Sequence, residues 1–325
     1  MALLRSKGPV AEPVPAIPIG VDPLYGYPEA GRLVALLQSG DWGSVDAELA
    51  AVSDLDHREA LAGILAKTEA SPSAFDEWAA KRPVQGLLIR GMRRTAQAWD
   101  VRTAKRAEHV EPSTWEQFFS MLRAAESDLL RAVDLVSGND LAWSALITTG
   151  KGLQIPKPEA WARYRRATSG QRQRLVTAER MLQYLCGKWH GSHDEMFDFA
   201  VSTSRSAPDG HPIHRVVPMA VIERRLACKT TGEWNTEYNR PFYSRMLREA
   251  AYRSIDIEGF GPRPGLDPFH LGARNMFAAA YASINDQVLL RIQLEAIGMN
   301  MTTSPWDSLG GEREFLRLRA MTTLD

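Results

Sequence analysis

Cysteine is scarce in this chain: Cys186 and Cys228 are the only two among 325 residues. Two thiols cannot build a disulfide framework, and no CxxC pair offers a zinc clip. Both stand in apolar helical contexts, so buried thiols are expected. Charge of one sign is lacking as well. Lys and Arg number 39, and so do Asp and Glu, which leaves no global field to draw the chain onto nucleic acid or a membrane. No apolar run approaches the ~20 residues that span a bilayer. The opening MALLRSKGPVAEPVPAIPIG has neither the long apolar core nor the small-residue cleavage site of an export signal. The expected setting is the cytoplasm, with no membrane partner. Strand signals are missing too: there is no sustained apolar/polar alternation and no Asn-Gly or Asp-Gly hairpin between β-branched runs. A Walker-type GxxxxGK[ST], a strand-borne GxGxxG and a GxSxG elbow are all absent, which argues against the common nucleotide and serine-nucleophile classes. GFGPRPG (Gly259 to Gly265) has the glycines of a phosphate loop, but its two prolines and the lack of a preceding strand make it a connector.

What is present is helix. Residues 1–27 form an arm with Pro9, Pro13, Pro15, Pro18 and Pro23, where proline's missing donor and its effect on the preceding residue disfavour helix. Leu24, Tyr25 and Tyr27 give that arm something to bury. Residues 28–325 then read as a single α-helical repeat domain, with a softer boundary near 105–112. In 87–99, Leu88, Ile89, Met92, Ala96 and Trp99 share one helical face. In 115–136, Trp115, Phe118, Phe119, Leu122, Ala125, Leu129, Val133 and Val136 do the same. Ser113 and Glu116 are spaced as a capping box, and Ser71 before Pro72 is a helix start. Breakers such as Gly138-Asn139-Asp140, Ile155-Pro156 and Pro208-Asp209-Gly210 cut the chain into about a dozen helices. Their short connections imply antiparallel hairpins.

Three junctions share a pattern: Gly40-Asp41-Trp42-Gly43-Ser44, Gly187-Lys188-Trp189-His190-Gly191-Ser192 and Gly232-Glu233-Trp234-Asn235-Thr236. Each reads as a left-handed glycine ending one helix, a tryptophan covering the corner, and a hydroxyl residue starting the next. Uneven spacing makes this a degenerate array of helical hairpins. The stretches Ala125 to Leu146 and Phe277 to Gly298 resemble tetratricopeptide (TPR) hairpins more directly. Taken together, YLCGKWHGSHDEMFDFA, LRAAESDLLRA, AIGMNMTTSPW and a final arginine-rich helix resemble an uncharacterised actinobacterial family of helical-repeat proteins, similar to tetratricopeptide proteins, with a W-x-G-S-H-[DE]-x-M-x-x-F-A signature. The resemblance runs from about residue 22 to the end. It implies an all-α fold of TPR-like antiparallel hairpins, stacked in an α-solenoid or compact superhelix, and carries no known activity.

Candidate chemistry comes from two residue classes. His190 and His193, followed by Asp194 and Glu195, and then His211 and His214, place four histidines within 25 residues. Imidazole suits zinc, which needs three or four ligands. Yet Ser192 and Glu195 are also spaced as a capping box, and carboxylates in a first turn favour the helix dipole. The structural reading therefore competes with a metal and is the one preferred. The second class is basic. Charge is uneven along the chain: residues 29–77 hold ten acids against three bases, whereas 81–106 hold eight bases and one acid. Arg90, Arg93 and Arg94 share a face, and Trp161, Arg163, Tyr164, Arg165 and Arg166 interleave arginine with aromatics. Guanidinium forks suit phosphates and carboxylates, so an anionic partner is one reading and a solvated helical face the other. The function expected is a scaffold that binds protein or peptide in a partly basic concave groove, with nucleic acid disfavoured and no cofactor. The rival is an enzyme or small-molecule-binding protein using His190, His193, His211 and His214 with Asp194 or Glu195, and with zinc or a similar divalent metal as its cofactor.

Overall fold

The computed structural model describes residues 26–102, 111–232, 234, 236–254 and 268–322. Sixteen α-helices and no strand occur among them, so the all-α expectation holds and the helices outnumber the dozen that the breakers suggest. GFGPRPG, the arm before residue 26 and most of the soft boundary near 105–112 lie outside the described residues.

The helices form two sets. The odd-numbered ones are α1 (Ala30–Ser39), α3 (Leu55–Lys67), α5 (Pro83–Arg102), α7 (Asp140–Leu153), α9 (Leu175–Leu185), α11 (Val216–Thr231) and α13 (Pro268–Ser283). Each touches the next in that series. The even-numbered ones are α2 (Trp42–Ala51), α4 (Pro72–Lys81), α6 (Pro112–Leu135), α8 (Lys157–Ala167), α10 (His193–Ser206), α12 (Thr236–Ser254) and α14 (Gln287–Ile297). They pack against the odd helices beside them. A short turn α15 (Thr303–Trp306) and α16 (Gly311–Thr322) follow. The contact of α3 with α9 departs from this neighbour order. Two large apolar clusters result, one from Tyr27 to Leu146 and one from Ile147 to Leu318, with Phe269 packed against both.

Local chemistry explains the helix ends. Gly40 and Gly232 stop α1 and α11 in the left-handed region, at φ 77° and 71°, a conformation that costs glycine nothing. Ser71 caps α4 ahead of Pro72, accepting from the Ala74 amide at 3.3 Å. Ser192 caps α10 by accepting from the Glu195 amide at 3.1 Å. Glu195 turns instead to Lys157 Nζ, at 2.6 and 2.8 Å, and ties α10 to α8. Three expectations are corrected. The residue before α6 is Glu111, with Pro112 in the first turn, so Ser113 lies inside the helix and forms no capping box. In the first junction Asp41 is the cap, accepting from Ser44 at 3.1 Å, and Trp42 is already helical. In the second, α9 ends at Leu185 and is capped by Cys186 at φ −61°, and Gly187 does not take a left-handed conformation. The tryptophans do cover corners. Trp42 stacks on Trp78 with ring centroids 5.6 Å apart. Trp234 stacks on Tyr243 at 5.8 Å and donates to the Ser283 carbonyl at 3.1 Å. Trp189 meets Trp99 edge to face at 5.3 Å.

Candidate functional site

Several of the odd-numbered helices, lying side by side, turn a stripe toward a common space. On α3 the stripe is Glu59, Ala60, Gly63, Ile64 and Lys67; on α5 it is Met92, Thr95, Ala96 and Trp99; on α9 it is Val176, Glu179 and Arg180. These steps of three, four, seven and eight residues define one helical face. Met219 of α11 and Phe269, Gly272 and Met276 of α13 complete the wall, with Tyr27 and Thr302 to Ser304 beside them. The cavity, partly open to solvent, measures about 560 Å³, within the range typical of small-molecule sites.

Besides Lys67 and several hydroxyls, its charged groups form two ion pairs. Glu59 joins Arg180, and Glu179 joins Arg215 at 2.7 Å. Arg215 also donates to the Phe269 carbonyl at 3.2 Å. Gly272 makes this possible, since a Cβ there would stand 2.6 Å from the guanidinium. Burial works against the charge on Arg215, but Glu179, Tyr27 and Asp56 together raise the guanidinium's pKa. Behind the first pair lies a buried network. Arg174 is fully enclosed, bonded to Asp56 at 3.2 Å and Glu59 at 2.5 Å. Asp56 in turn accepts from the Leu175 and Val176 amides at 2.6 and 3.1 Å. A carboxylate from α3 thus supplies the anion that the first turn of α9 needs, because Arg174, at the cap position, makes no side-chain cap. Burial pushes the Asp56 carboxyl up to about 6, against the pull of Arg174.

The chain matches no family model, no curated protein and no solved structure. The functional reading therefore rests on geometry.

That geometry redistributes the residues singled out in the sequence. None of the candidate arginines lines the cavity. Arg90 grips Asp128 with bonds of 2.7 and 2.8 Å and Asp76 at 2.9 Å, and Arg94 reaches Asp128 at 2.7 Å. Arg93 donates to the last carbonyls of α3, those of Ala66 and Thr68, at 3.1 and 2.9 Å. Arg163 is buried and bound to the Leu146 carbonyl, Glu126 and Glu159. These four tie helices together. Arg165 and Arg166 are exposed on the far side of α8, where Arg166 covers Trp143 at 4.5 Å. Trp161 and Tyr164 pack edge-on against Phe199 at 5.7 and 5.5 Å.

The histidines are engaged separately. His190 stacks on Tyr184 and bonds the Lys151 carbonyl at 2.9 Å. His193 opens α10, and its buried Nδ1 has no partner. His211 accepts from the Ile213 amide at 3.1 Å. Buried His214 uses both nitrogens, on Ser204 at 2.8 Å and the Pro208 carbonyl at 3.0 Å. Among the described residues no three His, Cys, Asp or Glu side chains gather closely enough to hold a metal ion. Cys186 and Cys228 are buried as free thiols. No helix among the described residues is long and apolar enough to cross a membrane.

Sequence reasoning missed the cavity's own charges. Glu59 in LDHREALAGILAK and the Glu179-Arg180 pair in LVTAERMLQYL sit on faces that are otherwise apolar. That interruption was their only signal.

Proposed function

We propose that the chain is a ligand-binding helical-repeat protein, a TPR-like series of antiparallel hairpins wound tightly enough that its concave side becomes a deep, partly open cavity. The successive contacts along the odd-numbered helices support this winding, as does the α3–α9 contact across it. The similarity to an actinobacterial helical-repeat family fits the same reading. The occupant is a small amphipathic molecule or the end of a peptide, a few residues long. One observation carries this: a cavity of about 560 Å³ whose wall joins Tyr27, Met92, Trp99, Met219, Phe269 and Met276 to two ion pairs of opposed order. Apolar walls supply the driving force and the few polar groups fix orientation. The peptide-scaffold reading survives in narrowed form. Its groove is the cavity, and its basic groups are Arg180 and Arg215 instead of the arginines of α5 and α8.

Gly63 provides the test. It faces the cavity, and a Cβ there meets only the Met92 methyl at 4.0 Å, so Gly63→Leu fills the space without straining the backbone. Native mass spectrometry and calorimetry of the purified chain, against short peptides and amphipathic acids, should find a binder in the micromolar range. Gly63→Leu should lose it at unchanged or higher Tm. Binding that survives the filled cavity would refute the assignment.

A further inference from the structure

The two ends of the cavity differ in charge. Glu59 and Lys67 lie on the cavity face of α3, eight residues apart, which a helix spaces at about 12 Å. Gly63 stands midway between them. At the Glu59 end the charges cancel, because Glu59, Glu179 and Asp56 face Arg174, Arg180 and Arg215. At the other end Lys67 lines the cavity without a counter-charge. It is the last residue of α3 and exposed, and no acid among the described residues pairs with it. Capping the helix does not require it either, since Arg93 already takes the carbonyls of Ala66 and Thr68. Between the ends the wall is apolar, with Ile64, Met92, Met219 and Met276.

The neutral end still has hydrogen bonds to give and to accept. Arg180 engages Glu59 and Ser144 through Nη1 alone, which leaves Nε and Nη2 with no protein acceptor among the described residues. Arg215 engages Glu179 through Nε and the Phe269 carbonyl through Nη1, leaving Nη2. Glu179 accepts at Oε1 only, leaving Oε2. None of these four atoms is sealed from solvent. Arg90 shows the contrast: it closes its Nε and Nη2 edge on Asp128, at 2.8 and 2.7 Å, and joins helices without facing the cavity.

We infer that the ligand is an elongated hydroxy acid, with its carboxylate at Lys67, its apolar body over Gly63 and its hydroxyl among Glu179, Arg180 and Arg215. A hydroxyl is neutral, donates once and accepts, so it serves Glu179 Oε2 and a guanidinium N–H without disturbing a balanced set of charges. A bare methyl end would desolvate those groups and return no bond. A second carboxylate would add a fourth anion to three cations. At the rim, a lone ammonium is a point charge that matches one carboxylate. The inference rests on the cavity being the binding site and adds the chemistry of the two ends of its occupant.

The experiment is calorimetry of the full chain with 10-hydroxydecanoic acid, decanoic acid and decane-1,10-diol, each also titrated into Lys67→Glu and Gly63→Leu. The hydroxy acid should bind roughly tenfold tighter than decanoic acid. Lys67→Glu should weaken the hydroxy acid roughly fivefold and leave the diol unchanged. Lys67 is exposed, so this variant should keep its fold, which its Tm checks. Equal affinity for the hydroxy acid and decanoic acid overturns the inference. So does a Lys67→Glu variant that treats the hydroxy acid and the diol alike. If Gly63→Leu abolishes binding in either of those cases, the cavity remains the site and only the two-ended assignment falls. Failure of all three compounds to bind overturns both.

Discussion

Two helical glycines show how far a single residue's role depends on what surrounds it. Gly63 faces open space, so Gly63→Ala should raise stability by about 0.5–1 kcal/mol, the helix preference of alanine over glycine. Gly86 lies where α5 crosses α4, and a Cβ there would stand 2.5 Å from the Ala79 backbone nitrogen. Backbone cannot swing aside as a side chain does. Gly86→Ala should therefore cost about 1–3 kcal/mol or more, a contrast that urea melts of the two variants would resolve. Lys151 makes a further prediction at this scale. Its folded pKa, brought by burial to about 8, lies below the unfolded value, so stability from this group is present at high pH and lost as pH falls from ~10 to ~8. Lys151→Met should gain about 1–3 kcal/mol at pH 7, and the gain should shrink toward pH 10.

At the scale of elements, the helices are joined by charges that the sequence displays as surface. Arg90 and Arg94 converge on buried Asp128, fixing α5 to α6. Asp56 and Arg174 hold α3 to the start of α9 across 118 positions of sequence. Arg174→Met would leave Asp56 and Glu59 buried without their enclosed cation. The expected cost is about 3–5 kcal/mol near neutral pH. Losing the cation raises the folded Asp56 pKa further above its unfolded value, so protonation favours the folded state. The variant should recover stability as pH drops through about 6, where the parent recovers less; thermal melts between pH 4 and 8 would show it. The helix caps were the part of this scale that could be read directly. Ser71 and Ser192 behave as their neighbours dictate, whereas Ser113 does not, because Pro112 already occupies the first turn and moves the boundary one residue earlier.

For the whole molecule, closure is the decisive property. A chain whose repeats touch only their neighbours unfolds in independent segments. Here Tyr27 stacks on His57 at 4.9 Å and meets Phe269 edge-on at 6.1 Å, and α3 reaches α9. Urea unfolding should accordingly be one cooperative transition, with tryptophan fluorescence and far-UV circular dichroism giving the same midpoint. Tyr27→Ala should separate the two curves; coincident curves in that variant would show that the tie across the cavity is not what couples the ends.

The sequence by itself determined the helical class, the positions of most breaks and, apart from exposed Val136, the inward faces of α5 and α6, since periodicity and capping are local properties carried by residues three or four apart. It also placed the three corner tryptophans. Which charges would face a cavity was decided only by tertiary structure. Arg93 and Arg180 look alike as letters, yet one caps α3 and the other lines the central space. The difference is set by partners 27 and 121 positions away, and no local pattern encodes contacts at that separation.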